Sequence, residues 1–205
     1  MKKSLESRKL SDEYTIENKI IGHLNAAAGW HAIERGYGAT ILGSGEGSSS
    51  PLISKFIEMR EKGDAEAFQA EKYINELLNI KDNQTLENEL NLWHEGYQIL
   101  LAIRPKIANN EIDRDEWLKF TTLNINNEFD LRNIIFTSEK MDERIIYMSN
   151  ILGPNVSRLC EFAGLERALI GNAIASGKPI SDETYNEIKR YRSTVGRSHI
   201  GTRDD

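Results

Sequence analysis

The sequence predicts an all-α protein, on three observations. Apolar residues recur at steps of three and four along most of the chain, sustained period-two alternation is absent, and the hairpin dipeptides Asn-Gly and Asp-Gly never occur. Each segment can be justified in turn. The first dozen residues have no period and read as a frayed end. Ile16, Ile20, Ile21, Leu24, Ala27, Ala28 and Ile33 then form a helical stripe over 15–34. The run from Gly36 to Ser50 has, in its later part, the composition of a linker.

Ser50 before Pro51 is a helix opening, with Leu52, Phe56, Ile57 and Met59 on its apolar side and a stop expected near Gly63. Asp64 caps a second helix through Ile74, Leu77 and Leu78, which makes a helical hairpin. Thr85 opens the cleanest amphipathic segment, Leu86, Leu90, Trp93, Tyr97 and Leu100, which Pro105 ends or kinks. Short helices follow over 114–122 and 127–136, anchored by Trp117, Phe120, Phe129 and Leu131. Ser138 caps a helix over 139–152, and Gly153-Pro154-Asn155 breaks it. Trp93, Tyr97 and Trp117 read as core.

Composition narrows the class of function. No apolar run reaches the roughly 18 residues a bilayer span needs, and Met1–Glu6 lacks the apolar stretch of a secretory signal, so a cytoplasmic protein away from membranes is expected. The single cysteine, Cys160, reads as a small buried residue. The net charge of −6 is unevenly placed: residues 155–205 carry +1 and residues 1–154 carry −7. Lys189, Arg190, Arg192, Arg197 and Arg203 form a basic end with no acid between them. An acidic body with a basic end suits a reader of nucleic acid whose other half avoids phosphate.

Enzyme motifs are missing. Gly36-Tyr37-Gly38 lacks the last glycine of a dinucleotide loop, Gly38 to Gly43 is not followed by Lys and Ser or Thr, and no nucleophile elbow or zinc-protease motif occurs. His23, His31, His94 and His199 are not at metal-ligand spacing. Asp113, Asp115 and Glu116 suit a helix start. Neither a catalytic residue nor a metal or cofactor is expected.

The richest segment runs from Val156 to Ile174. Leu159 and Ala163 face inward from one short helix, Cys160 is a small contact residue, Gly164 takes a turn at positive φ, and Leu165, Leu169, Ile170 and Ala173 pack a second helix. With the loop Gly177-Lys178-Pro179 and the helix that Ser181 caps, it resembles the Cro/C1 and Xre-type family of helix-turn-helix repressors over about 139–193. Cys160 where alanine is usual, Val156-Ser157 in place of a polar opening, and the C-terminal position depart from that pattern.

The resemblance implies a lambda-repressor-like DNA-binding unit at 138–205 behind a helical domain at 1–137 that serves self-association, partner or effector binding. It implies that Glu166, Arg167, Ala168, Gly171 and Asn172 face the major groove, with Ser157, Arg158, Ser176 and Lys178 on the phosphates. The expected function is therefore a transcriptional repressor of phage or mobile-element type, bound to double-stranded DNA as a homodimer on palindromic sites. Two other readings stand beside it. One is an antitoxin-like or inhibitory helical interaction module that grips a protein partner through the acidic body; the other is a regulator that responds to a small molecule.

Overall fold

The computed structural model describes the backbone of residues 2–136 and 143–200, and side chains over 11–135 and 156–194. Among these residues every regular element is helical: α1 (Lys2–Ser44), α2 (Ile53–Ile80), α3 (Gln84–Asn109), α4 (Arg114–Phe136), α5 (Glu143–Ser176) and α6 (Asp182–Ile200), with a 3-10 turn at Gly47–Ser49. The all-α expectation holds. The helices are longer and fewer than the sequence suggested, because several glycine stops are not stops.

α1 is the hub. α2 runs back along it, with Lys62 over the ring of Trp30 and Glu66 bonded to His23. α4 also runs antiparallel to it: Trp117 meets Gly38, Thr122 meets Arg35, and Glu128 meets His31. α5 lies parallel to α1, and α6 turns back on α5, where Phe162 stacks on Tyr191. One core joins Ile20, Leu24, Ile74, Trp93, Leu100 and Trp117 with Leu165, Leu169 and Ile188. The aromatic core expectation is met, since Trp93, Tyr97 and Trp117 are buried.

Local chemistry explains the ends that do occur. The Asn83 side chain accepts from the Leu86 amide at 3.1 Å, so α3 opens on a capped residue two positions before Thr85. It closes at Asn110, whose left-handed backbone (φ 55°) accepts the helix end. Asp113 accepts from the Glu116 amide at 2.7 Å at the start of α4, and Ser181 accepts from the Thr184 amide at 3.2 Å at the start of α6. The Ser181 cap is as the sequence predicted. The Ser50 hydroxyl accepts from the Leu52 amide at 3.3 Å, and Pro51 sits in the turn before α2, which begins at Ile53 without a side-chain cap.

Four expected breaks fall inside helices. α1 continues through Gly36 and Gly38 to Ser44, α2 passes through Gly63, α3 continues past Pro105, and the two short helices over 114–136 are one. Gly153 and Pro154 also lie within α5. Two of the glycines are packing positions: a Cβ at Gly38 would lie 2.5 Å from the Trp117 indole, and one at Gly63 would lie 2.3 Å from the His31 ring. A helical glycine costs about 1 kcal/mol against alanine, and the close approach it permits offsets that cost.

The largest correction concerns Gly164. It takes no positive φ; those glycines are Gly45, Gly47 and Gly177, and α5 is continuous through it. Where a steep turn between two short helices was expected, there is one continuous helix packed on α1, with the Arg35 guanidinium 2.9 Å from where a Gly164 Cβ would stand. The expected division between 137 and 138, with its Ser138 cap, lies outside the described residues. Beyond it, α5 shares the core of α1.

Candidate functional site in the groove between α1 and α5

A repeat that sequence reasoning missed organises the site. Glu34-Arg35 and Ser44-Gly45 on α1 recur as Glu166-Arg167 and Ser176-Gly177 on α5, each pair 132 positions apart. The structure repeats with the sequence. Both serines bond the carbonyl three residues earlier (Ser44 to Ile41 at 2.9 Å, Ser176 to Ala173 at 2.8 Å), and both glycines take positive φ (69° and 61°). The two helices lie side by side nearly in register. Arg132 donates through one nitrogen to Asn25 at 3.0 Å and to Ser157 at 2.7 Å, again 132 apart. Further along, Gly171 abuts Thr40, and Asn172 donates to the Ala39 carbonyl at 2.7 Å.

The repeat is broken at one functional point. Arg35 is fully buried and holds the Glu161 carboxylate with both terminal nitrogens, and it also donates to Thr122 at 2.8 Å. Such a fork-to-carboxylate pair is the geometry a guanidinium prefers. The same 132-residue step carries Arg35 to Arg167 and Glu161 to Gly29. The position that the repeat makes equivalent to Glu161 is therefore a glycine, and a Cβ at Gly29 would have nothing within 4 Å. Among the described residues no carboxylate pairs with Arg167.

Two openings mark the groove. One, of about 540 Å³, is lined by Asn25, Gly29, Ala32, Phe129, Arg132, Val156, Cys160 and Glu161, among others. The other, of about 400 Å³, is lined by Ile33, Gly36, Tyr37, Thr40, Leu52, Arg167 and Gly171. In a chain of net charge −6, this second wall holds a guanidinium and two hydroxyls and no acid. The clefts at Arg132 and at Lys119 each include carboxylates. The Thr40 hydroxyl already donates to the Gly36 carbonyl at 2.9 Å, which leaves the Arg167 guanidinium and the Tyr37 hydroxyl, with Ile33 and Leu52 as an apolar flank, to suit a small anion.

The residues expected to face DNA are placed as follows. Ser157 bonds Arg132, Glu166 pairs with Arg192 of α6, Ala168 is fully buried, and Gly171 and Asn172 press on α1. Ser176 closes α5, whereas Arg158, Arg167 and Lys178 are exposed. Cys160, expected to be buried, is exposed. With α5 lying along α1, no helix begins near Glu166 and projects from the surface. Of the expected set, Arg167 and Gly171 share the second opening.

Behind the groove lies a buried ionic cluster, also unforeseen. Arg104 forks onto Glu34 at 2.7 and 2.8 Å and reaches Asp64 at 2.9 Å. His31 bridges Glu128 at 2.7 Å and Asp64 at 3.3 Å, and Asn124 donates to Glu128 at 3.0 Å. Burial opposes a charge on His31, but Glu128, Asp64 and Glu34 outweigh it and hold the imidazolium up to about 10. Burial likewise opposes the Asp64 charge, yet His31 and Arg104 keep that carboxyl below its ordinary value. The members come from α1, α2, α3 and α4, so the cluster ties four helices together, and the Glu34 of the repeated motif belongs to it.

Among the described residues no group of His, Cys, Asp and Glu is arranged to hold a metal ion, and no helix is long and apolar enough to cross a membrane. Comparison of the chain with protein-family models, curated proteins and solved structures finds no match.

Proposed function

We propose that this chain is a helical regulatory module that receives a small anionic effector in the groove between α1 and α5, with Arg167 as its principal anchor. The observation that carries the reading is the missing counter-ion. Arg35 and Arg167 occupy matching places on paired helices, and the position that supplies a carboxylate to the first is Gly29 for the second. An oxyanion or carboxylate would take up the role that Glu161 plays for Arg35, with Tyr37 offering a hydroxyl and Ile33 and Leu52 an apolar flank. This reading keeps the effector-responsive function considered from the sequence. It moves recognition from a projecting helix to a groove.

Thermal unfolding against a panel of nitrate, sulfate, phosphate, acetate and succinate, at constant ionic strength set with chloride, tests it. A ligand at about one hundred times its Kd stabilises by roughly 2.7 kcal/mol. For a chain of this size that raises Tm by roughly 5–10 °C. At least one panel member is expected to do so, and Arg167→Ala is expected to abolish the shift. Duplex DNA belongs in the same experiment. Steep, salt-dependent duplex binding without any response to the panel would favour the nucleic-acid reading instead.

A further inference from the structure

Among the described residues that line the opening at Arg167, the guanidinium is the one charged group. The rest of the wall is largely apolar or bare. Ile33 is exposed on α1, Leu52 comes from the turn before α2, and Gly36 and Gly171 present no side chain. The two glycines differ. A Cβ at Gly171 would stand 2.7 Å from the Thr40 hydroxyl, whereas one at Gly36 would meet nothing within 4 Å, so the empty space lies over Gly36. At about 400 Å³ the opening falls in the range of small-molecule pockets, roughly 300–1,000 Å³. A compact oxyanion seated on the guanidinium would leave most of that space to water against apolar side chains.

We infer that the effector is a monocarboxylate with an apolar body, its carboxylate on Arg167 and its carbon body over Gly36 against Ile33 and Leu52; this rests on the reading of Arg167 as an anion anchor. Charge selects the head group. One guanidinium neutralises one negative charge, and the wall of this opening, in a chain of net charge −6, offers a dianion no second cation. The matching arginine of the repeat displays the pairing: Arg35 holds a carboxylate with both terminal nitrogens. Space selects the body. Each methylene taken out of water against Ile33 and Leu52 tightens binding by about two- to fourfold, the upper figure applying to full burial. Gly36 is then the residue that sets specificity, since a side chain at that position would occupy the room the carbon body needs.

Titration calorimetry of the full chain at constant ionic strength, with acetate, butyrate, hexanoate, benzoate, the uncharged benzamide and the dianion sulfate, tests it. Affinity is expected to rise by about two- to fourfold per methylene from acetate to hexanoate, with sulfate weaker than hexanoate. Benzoate should bind about tenfold or more tightly than benzamide, and Arg167→Ala should erase that difference. Gly36→Leu fills the open space on a helix that favours leucine over glycine, so it should keep the helical circular dichroism while the chain-length series goes flat. Ile33→Ser, at an exposed position, should lower the preference for hexanoate over acetate by about threefold. Acetate, hexanoate and sulfate bound alike through Arg167, or a chain-length series that Gly36→Leu leaves intact, would overturn this inference and leave the anion site standing. Absence of binding by every acid, or binding indifferent to Arg167→Ala, would overturn both.

Discussion

Arg35 and Arg167 stand at equivalent points of two parallel helices, and among the described residues a carboxylate, that of Glu161, meets Arg35 and none meets Arg167. That asymmetry separates structure from site. One arginine is consumed in holding α5 on α1; the other faces an opening in the same groove.

Gly29→Glu should restore the missing symmetry. A Cβ there meets nothing within 4 Å, and replacing a helical glycine gains about 0.5–1 kcal/mol. The new carboxylate should reach Arg167 as Glu161 reaches Arg35. Chemical denaturation is expected to show a chain at least as stable as wild type. Anion response in calorimetry should nevertheless be lost, because the guanidinium is already neutralised.

Removing Arg35's partner should act on stability alone. Glu161→Ala leaves a buried guanidinium without its counter-ion, a change that costs about 3–5 kcal/mol. Urea unfolding is expected to show that loss, and hydrogen exchange should show α5 losing protection before α2 and α3. A cost below 1 kcal/mol would mean that the pair does not hold the two helices together.

The glycines should divide into two groups. At Gly38 a methyl would overlap the Trp117 indole, and at Gly43 it would lie 2.3 Å from the Asn172 carbonyl oxygen, so alanine at either should destabilise by about 1–3 kcal/mol. Gly22 has open space around its Cβ, and Gly22→Ala should stabilise by about 0.5–1 kcal/mol. Denaturation midpoints of the three variants decide the matter.

His31 sets a pH dependence of definite sign. Its folded value is pushed up to about 10 from an ordinary 6.5, so above pH 6.5 the unfolded chain loses this proton while the folded chain keeps it. The stabilisation is fully present below pH 6.5 and is lost as pH rises through about 10. Wild-type stability should therefore fall more steeply between pH 7 and 10 than that of His31→Gln. Parallel curves for the two proteins would show that the imidazolium is not held as described.

Much of the fold was legible because helix starts and core faces are local. The stripe of Leu86, Leu90, Trp93, Tyr97 and Leu100 and the Ser181 cap can be read within a dozen residues, and both stand in the structure. Glycine misled. At Gly38, Gly43 and Gly63 it marks where another helix comes close, which depends on Trp117, Asn172 and His31 far along the chain. At Gly164 the same bias turned one long helix into two short ones. Arg167 was singled out from sequence but assigned to a DNA groove, whereas Arg35, Glu161 and the His31 cluster were passed over, since each matters only through partners brought by other helices. The repeated Glu-Arg and Ser-Gly pairs were the available signal, and their constant spacing would have aligned α1 with α5 before any coordinates.

The most direct test of the central claim is titration calorimetry of the wild-type chain, Arg167→Ala and Arg158→Ala with the oxyanions and carboxylates of the panel. Arg158 is an exposed cation of the same helix that does not line the Arg167 opening, and so serves as the control. Saturable binding of one panel member by wild type and Arg158→Ala, at least tenfold weaker in Arg167→Ala, is the expected result. Equal binding by all three proteins, or none by the wild type at millimolar anion, would contradict an anion site at Arg167.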